Sequence, residues 1–277
     1  MSDRVFILGA GRAGQGLARA LRASGVTVVG LHGRTAATGY PPITAGAIPR
    51  TLAEADAVLV AVRDAQLETA LRELIAAGLK AGAVVLHVSG SAPDALLAPL
   101  RAAGHPSGTF HPLLPLSSAA EAPRLLHGAW IGVDGDPAAR ETASRLAGQI
   151  GARTLEIPAG GKARYHAAAV FASNFPIVLA EIAAGLLADA GVPRAEARDA
   201  VQGLLAAAAL NLRGRAPAEA LTGPIARGDV GTVEAHLAAL TGDARAAYVT
   251  LARAAADLAR DAGANPDALA RIRRLLA

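Results

Sequence analysis

The sequence predicts an α/β protein, in which a Rossmann domain with a doubly wound, mainly parallel sheet precedes an all-α domain. Short apolar runs alternate with helical patterns along the N-terminal half, as parallel strands joined by crossover helices require. A glycine fingerprint follows the first run, and only helical patterns follow Pro158. We therefore expect a dinucleotide-binding domain at 1–158 and a helical substrate and dimerisation domain at 159–277.

The elements are predicted in order along the chain. The predicted strands are Val5–Leu8, Val26–Leu31, Ala57–Val62, Ala83–Val88, Gly108–His111, Ala129–Val133 and Thr154–Ile157. Helical periodicity predicts helices at Gly14–Ala23, Ala65–Ala77, Pro93–Ala103 and Ala138–Ile150. Beyond the boundary it predicts further helices at 161–190, 194–213, 217–222, 229–240, 241–263 and 266–276, separated by glycine and proline.

Composition excludes several classes of protein. The 277 residues are 52% hydrophobic and contain no cysteine, which excludes disulfides, thiolate zinc sites and cysteine nucleophiles. No metal site is predicted. The net charge is +4, but the arginines are scattered, so a nucleic-acid partner is not expected. No secretory pattern precedes the first strand, and we expect a cytoplasmic protein.

One apolar run, 167–187, is long enough to raise the question of a membrane. Asn174, Pro176 and Glu181 interrupt it, and an unpaired glutamate in lipid is costly. We therefore expect a buried helix of the helical domain and no membrane partner.

The strongest local signal is the motif G-x-G-x-x-G formed by Gly9, Gly11 and Gly14, directly after the first strand. Gly9 permits the tight turn, Gly11 lets the backbone approach a pyrophosphate, and Gly14 lets the helix pack against the strand. The free N–H groups of the helix start then bind the phosphates. The predicted cofactor-binding loop comprises Gly9, Ala10, Gly11, Arg12, Ala13 and Gly14.

The end of the second strand favours NADP over NAD, although NAD stays possible. No acidic residue is present there for the ribose hydroxyls, and Arg34 follows Gly33 at the expected place. Arginine can pair bidentately with a 2′-phosphate. Val62 ends the third predicted strand and Arg63 follows it, where the loop of such folds passes over the cofactor.

Polar residues at later strand ends are candidates for the substrate site. Ser89 follows the fourth strand and can hydrogen-bond a substrate. His87 lies on that strand and is interpreted as a packed core histidine. His111 is either a substrate contact or a structural turn residue. Thr222 and Arg227 bracket a loop on which a carboxylate can dock, or which only connects two helices.

The first helix after the boundary carries one of only two lysines in the chain, Lys162. At about 100° per residue, Lys162, His166 and Ser173 share one stripe, with Asn174 to the side. The helix dipole disfavours a cation in the first turn, so a chemical role for Lys162 is favoured over a merely solvated one.

Five segments together resemble a known family: GAGRAGQGLARALRASG, HVSGSA, FHPLLPL, KARYHAAAVFASNF and ALTGPIARGDVGTVEAHL. They are similar to the Rossmann-like oxidoreductases that carry the domain of unknown function 2520, over nearly the whole chain. That family resembles the 6-phosphogluconate-dehydrogenase-like group, which includes ketopantoate reductase, pyrroline-5-carboxylate reductase, prephenate dehydrogenase and β-hydroxyacid dehydrogenases. The resemblance implies a homodimer through the helical domain.

The resemblance also implies a reaction: NADP-dependent reduction of the C=O of a small keto acid such as ketopantoate. Lys162 is placed like the lysine of the hydroxyacid and ketopantoate enzymes, but His166 stands where those enzymes carry asparagine. Lys162 and His166 are thus the catalytic candidates, and Ser89, His111, Asn174, Thr222 and Arg227 the substrate-binding candidates. Alternatives are reduction of a pyrroline-carboxylate-like imine, a deazaflavin-linked reductase, or an NADP-binding sensor without turnover.

Overall fold

A seven-stranded sheet organises the first part of the chain in the computed structural model, which describes residues 3–38 and 41–277. Its strands are β1 Arg4–Leu8, β2 Thr27–His32, β3 Ala57–Val60, β4 Val84–His87, β5 Ser107–Pro112, β6 Trp130–Gly135 and β7 Arg153–Glu156. The order across the sheet is β2-β1-β3-β4-β5-β6-β7, and every neighbouring pair is parallel except β5 with β6. The predicted mainly parallel Rossmann sheet is confirmed.

Helices cover both faces of this sheet, as a doubly wound fold requires. They are α1 Arg12–Ala23, α2 Asp64–Ala76, α3 Ala98–Ala102, α4 Ala122–Leu126 and α5 Pro137–Gln149. Leu17, Leu126 and Leu146 bring α1, α4 and α5 onto one face. Leu67 and Leu100 bring α2 and α3 onto the other. The interior of both layers is mainly aliphatic, with one buried phenylalanine in each, Phe110 and Phe6, and the strands of a parallel sheet are buried on both sides.

One predicted helix is divided in the structure. The pattern at Pro93–Ala103 forms a 3₁₀ helix, Asp94–Leu97, followed by the short α3. Pro99 near the start of α3 has no N–H to donate to the preceding turn, so a continuous α-helix would lose a hydrogen bond there. The 3₁₀ helix Arg50–Glu54 and α4 were not predicted.

The rest of the chain is helical, as predicted. The helices are α6 Lys162–Asp189, α7 Arg194–Asn211, α8 Pro217–Ala220, α9 Val230–Ala239, α10 Gly242–Asp261 and α11 Pro266–Leu275. The chain divides into two compact units between Asn174 and Phe175, inside α6. The core of the second unit joins α9, α10 and α11 through Val233, Ala252 and Ile272. The domain boundary at 158 stays a prediction.

The expectation that 167–187 forms a buried helix is wrong within a single chain. Ala184 is the one buried residue of α6, all of which the structure describes, whereas Ile177 and Val178 are 68% and 55% exposed. α6 packs on α7 along a narrow stripe that also contains Ala197 and Val201, which leaves most of its apolar surface uncovered. By length and composition α6 could cross a membrane, and 6% of its most apolar 18-residue segment is buried. One such helix is weak evidence for a membrane span.

Candidate functional site

The fingerprint loop has the shape that a dinucleotide requires. Gly9 adopts φ 110°, and a Cβ there would lie 2.3 Å from the carbonyl oxygen of Ala61. A Cβ at Gly14 would lie 1.7 Å from the carbonyl oxygen of Gly9, so only glycine lets α1 approach the strand. Nothing lies within 4 Å of a Cβ at Gly11, and this open space is where a pyrophosphate can meet the backbone.

The start of α1 leaves its donors free for an anion. Gly11 is the N-cap residue, and no side chain caps the helix before Arg12 and Ala13. The side chain of Gln15 donates to the carbonyl oxygen of Ala10 at 2.8 Å, which stabilises the loop. The first-turn N–H groups and the positive end of the dipole can therefore hold phosphate oxygens.

The residues predicted to flank the cofactor lie beside this loop. A Cβ at Gly33 would lie 2.6 Å from the Cβ of Ala10, so the end of β2 touches the fingerprint directly. Arg34, the next residue, is exposed. The backbone nitrogen of Val62 lies 3.0 Å from a Cβ built at Gly9. Arg63 is exposed at the N-cap position of α2.

A row of polar side chains crosses β4, β5 and β6 and receives Lys162 from the first turn of α6. The strand register pairs His87 with Thr109 and Thr109 with Asp134. The Nζ of Lys162 donates to Oγ1 of Thr109 at 2.8 Å and forms an ion pair with Oδ2 of Asp134 at 2.9 Å. The Lys162 and Asp134 side chains are 12% and 17% exposed, so this pair is largely desolvated.

His87, the histidine of this row, is uncharged at neutral pH. Burial, and secondarily the charge of Lys162, lower the pKa of His87 to about 4. The Nε2 of His87 lies 3.3 Å from Oγ1 of Thr109, whose hydrogen is free because Lys162 donates to that oxygen. Oδ1 of Asp134 is buried and makes no hydrogen bond with any residue in the described ranges. His87 is therefore the packed core residue that the sequence suggested.

A second cluster lies at the carboxyl end of β5. Nδ1 of His111 lies 2.7 Å from the hydroxyl of Tyr165, one turn along α6 from Lys162. A Cβ at Gly132, the cross-strand partner of His111, would lie 2.1 Å from that hydroxyl, so glycine makes room for Tyr165. The rings of His111 and His166 meet edge to face, with centroids 6.2 Å apart.

Both His111 and Tyr165 are uncharged at neutral pH. Burial, with a smaller contribution from His166, lowers the pKa of His111 to about 4. Burial and the nearby Asp134 raise the pKa of Tyr165 to about 12. The cluster thus presents neutral hydrogen-bonding groups beside the ammonium of Lys162, a combination that can stabilise negative charge and move a proton.

The other predicted substrate contacts are less favourable. Ser89 is buried, and its hydroxyl oxygen accepts from the N–H groups of Ser91 and Ala92 at 3.2 and 3.0 Å. This turn-forming use does not favour a substrate role for Ser89. The hydroxyl of Ser91 in the same turn donates to Oδ2 of Asp64, the first residue of α2, at 2.6 Å.

Three further candidates lie elsewhere. Asn174 is exposed, with its Oδ1 2.9 Å from the hydroxyl of Ser173, which bonds the carbonyl of Ala169 at 2.7 Å. Thr222 and Arg227 belong to the second unit and are both exposed, and their substrate role stays a prediction. Across the described part of the chain, no group of three or more histidine or acidic residues could hold a metal ion.

Sequence reasoning missed Thr109, Asp134 and Tyr165 as site residues. A signal existed for Asp134, since an acidic residue inside the strand WIGVDG is rarely buried unless paired. Its partner could not be inferred, because the antiparallel direction of β6 sets the register with Thr109. Tyr165 had a weaker signal, its place three residues after Lys162 on the same helix.

Comparison with family models gives two matches. A model described as Rossmann-like domain matches residues 2–112, and one described as Domain of unknown function (DUF2520) matches residues 129–273. The second match covers more than half of the chain. A comparison with curated proteins found no match.

Solved structures share the fold at low sequence identity. The protein TM1727 from Thermotoga maritima is 22% identical with a TM-score of 0.74, over 93% of this chain and 98% of its own. Pyrroline carboxylate reductase from Plasmodium falciparum, solved with NADP bound, is 9% identical with a TM-score of 0.58, over 99% and 98%. Reductive aminase from Aspergillus terreus, in complex with NADPH and ethyl levulinate, is 19% identical with a TM-score of 0.58, over 100% and 93%.

Proposed function

Because the chain belongs to the family described as Domain of unknown function (DUF2520), we propose that it is an NADP-dependent reductase of a small keto acid. Ketopantoate is the leading substrate. One observation carries the proposal: Lys162, His111 and His166 lie at the carboxyl edge of the sheet that also holds the fingerprint. Ligands of open α/β sheets bind along that edge.

The chain's own residues fit NADP. Gly9, Gly11 and Gly14 leave the space and the helix start that a pyrophosphate needs, and Arg34 is the exposed cation for the 2′-phosphate. When bound, the reduced cofactor NADPH would supply the hydride of the reaction. NADP or NADPH bound to the Plasmodium and Aspergillus proteins supports this choice of cofactor.

The residues of α6 and β5 supply the rest of the chemistry. As the carbonyl carbon of the substrate is reduced, negative charge develops on its oxygen. The ammonium of Lys162 stabilises that charge at short range, and Lys162 or His166 gives the proton that turns the alkoxide into an alcohol.

A second candidate substrate is an imine. Pyrroline carboxylate reductase and reductive aminase, two proteins of the same fold, are named for C=N chemistry or amine formation. A neutral His111 suits an imine nitrogen as well as a carbonyl oxygen, since its pKa of about 4 leaves it uncharged.

Turnover with NADPH tests the proposal. Purified protein should oxidise NADPH only when a keto acid or an imino acid is added, with ketopantoate in the first panel. Lys162→Met should lower kcat/KM by about 100-fold or more, whereas Lys80→Met, which changes an exposed lysine, should change it by less than about twofold. If the protein binds NADPH but reduces neither keto acids nor imino acids, an NADP-binding sensor would describe it better than a reductase.

The uncovered apolar surface of the second unit supports a homodimer through the helical domain. Ile177 and Val178 on α6 are more than half exposed, and so are Leu204 and Leu210 on α7, at 72% and 60%. These side chains lie on two helices that pack together, and monomeric soluble proteins rarely expose large apolar patches. We infer that a second copy of this chain covers it.

Ile177→Asp tests that assembly. A charge at the centre of an apolar interface is left desolvated and unpaired, so the variant should shift to the monomer in sedimentation velocity. Arg213→Asp, at an exposed position just after α7, serves as a control for surface charge. A wild-type protein that is monomeric at all concentrations, or that needs detergent to stay dispersed, would contradict the homodimer.

A further inference from the structure

The proposed function gives no role to the buried ring nitrogen of His166, Nδ1. Nδ1 of His166 is buried and makes no hydrogen bond with any residue that the structure describes. A buried polar atom without a partner destabilises the folded state. The ring is otherwise partly exposed, so its Nε2 is the nitrogen that a ligand can reach.

Gly90 places this buried nitrogen next to His111. A Cβ at Gly90 would lie 2.8 Å from Nδ1 of His166 and 2.9 Å from Nε2 of His111. Both nitrogens therefore border the same point, in the space that a side chain at Gly90 would fill. The two rings stand at 66° to one another, with centroids 6.2 Å apart.

Tyr165 decides which nitrogen of His111 carries the proton. Within the described residues, its hydroxyl has one hydrogen-bond partner, Nδ1 of His111 at 2.7 Å. The pKa of Tyr165 is raised to about 12, so the phenol keeps its hydrogen and can donate it to Nδ1. His111, whose pKa is lowered to about 4, is neutral, and when Tyr165 is the donor its own hydrogen lies on Nε2, the nitrogen that borders Gly90.

We propose that Tyr165, His111 and His166 form a proton relay that ends at Nε2 of His166, where the substrate oxygen is protonated. The relay rests on the proposed function, because it delivers a proton to the reduced carbonyl. The relay requires Nε2–H of His111 to donate to Nδ1 of His166, a hydrogen bond that would give this unpaired nitrogen a partner. His166 is then the catalytic residue, and His111 and Tyr165 act through it.

The protons balance along this chain. The new O–H bond of the product forms as the Nε2–H bond of His166 breaks. His166 takes a proton at Nδ1 from Nε2 of His111, and His111 takes one at Nδ1 from the hydroxyl of Tyr165. An alkoxide is a stronger base than the resulting phenolate, so the transfer is downhill, and water then returns a proton to Tyr165.

Lys162 has a different role in this arrangement. Its ammonium is held between Thr109 and Asp134, so it supplies positive charge and fixes the first turn of α6 without passing a proton. The ionisable groups that face the relay are Lys162, Asp134, Asp64 and His87.

Nitrogen-15 NMR of the histidine side chains tests the relay without substrate or cofactor. His111 should be the Nε2–H tautomer in the wild type, and Tyr165→Phe should remove this preference. The chain offers a matched control: the hydroxyl of Tyr248 lies 3.0 Å from Nδ1 of His236 in the second unit, with the same edge-to-face geometry. Tyr248→Phe should leave the His111 signals unchanged. An Nδ1–H tautomer of His111 in the wild type would overturn the relay.

Kinetics provide a second, separable readout. His166→Gln should lower kcat by about 100-fold and Tyr165→Phe by about tenfold, with NADPH affinity retained and Tyr248→Phe unaffected. The relay draws its proton from the neutral phenol of Tyr165, so the wild-type kcat should not fall as the pH rises from about 6 to about 9. A kcat that falls above about pH 6.5 would indicate an imidazolium donor and overturn the relay. If no substrate is reduced, the proposed function fails, and the NMR result still decides the arrangement.

Discussion

The two lysines of this chain allow one matched comparison of a desolvated and an exposed ion pair. Lys162 pairs with Asp134 at 2.9 Å, with side chains 12% and 17% exposed. Lys80 pairs with Asp56 at 2.5 Å, with side chains 49% and 38% exposed. Removing one partner of a buried pair leaves the other charge desolvated and costs about 3–5 kcal/mol, whereas an exposed pair contributes about 0–1 kcal/mol.

We therefore expect Lys162→Met to lower the free energy of unfolding by about 3 kcal/mol, at the low end because the pair is not fully buried. For a unit of this size that corresponds to a fall in Tm of roughly 6–12 °C. Lys80→Met should lower it by less than about 1 kcal/mol. Trp130, the single tryptophan of the chain, lies on the same strand as Asp134, so its fluorescence reports on the first unit.

A double variant isolates the pair itself. Once Lys162 is replaced by methionine, Asp134→Asn removes the unpaired charge, so the double variant should be less destabilised than the sum of the two single variants by about 1 kcal/mol or more. Equal and small effects of Lys162→Met and Lys80→Met would refute the reasoning, since the two sites would then be equally solvated.

Three further predictions concern the cofactor loop and pH. Gly11→Ala should leave the unfolding midpoint unchanged but weaken NADPH binding at least about tenfold in a fluorescence titration, whereas Gly14→Ala should harm both because its Cβ meets backbone. Arg34→Ala should weaken NADPH binding by about 10–100-fold and NADH binding little, as measured in parallel titrations. Urea unfolding should show stability falling from about pH 6.5 toward pH 4 by up to about 1.4 kcal/mol per pH unit for each of His87 and His111. Both pKa values are lowered, so the unfolded chain binds protons that the folded chain excludes; His111→Gln should reduce the slope.

The features of the fold and the site that depend on local sequence pattern could be predicted from the sequence. Each predicted strand corresponds to one of β1–β7, because short apolar runs bounded by polar turns have few other solutions. The roles of Gly9 and Gly14 followed from the motif, and the contacts that a Cβ would make at both positions agree with them.

What could not be predicted depends on contacts between distant segments. The Lys162–Asp134 pair joins α6 to a strand whose antiparallel direction no local pattern specifies. The packing of Tyr165 over Gly132 depends on the same register. The apolar pattern of α6 predicted a buried helix, which is wrong within a single chain, because Ile177 is exposed and no local pattern specifies what covers it.

Transfer of deuterium tests the central claim most directly. NADPH carrying deuterium at the reactive position of its nicotinamide would be incubated with the protein and ketopantoate, and the product analysed by mass spectrometry. A reductase should place one deuterium on the new carbinol carbon of the product, and His166→Gln should slow its appearance by about 100-fold. Tight NADPH binding with no deuterium in any product of a keto-acid and imino-acid panel would contradict the assignment.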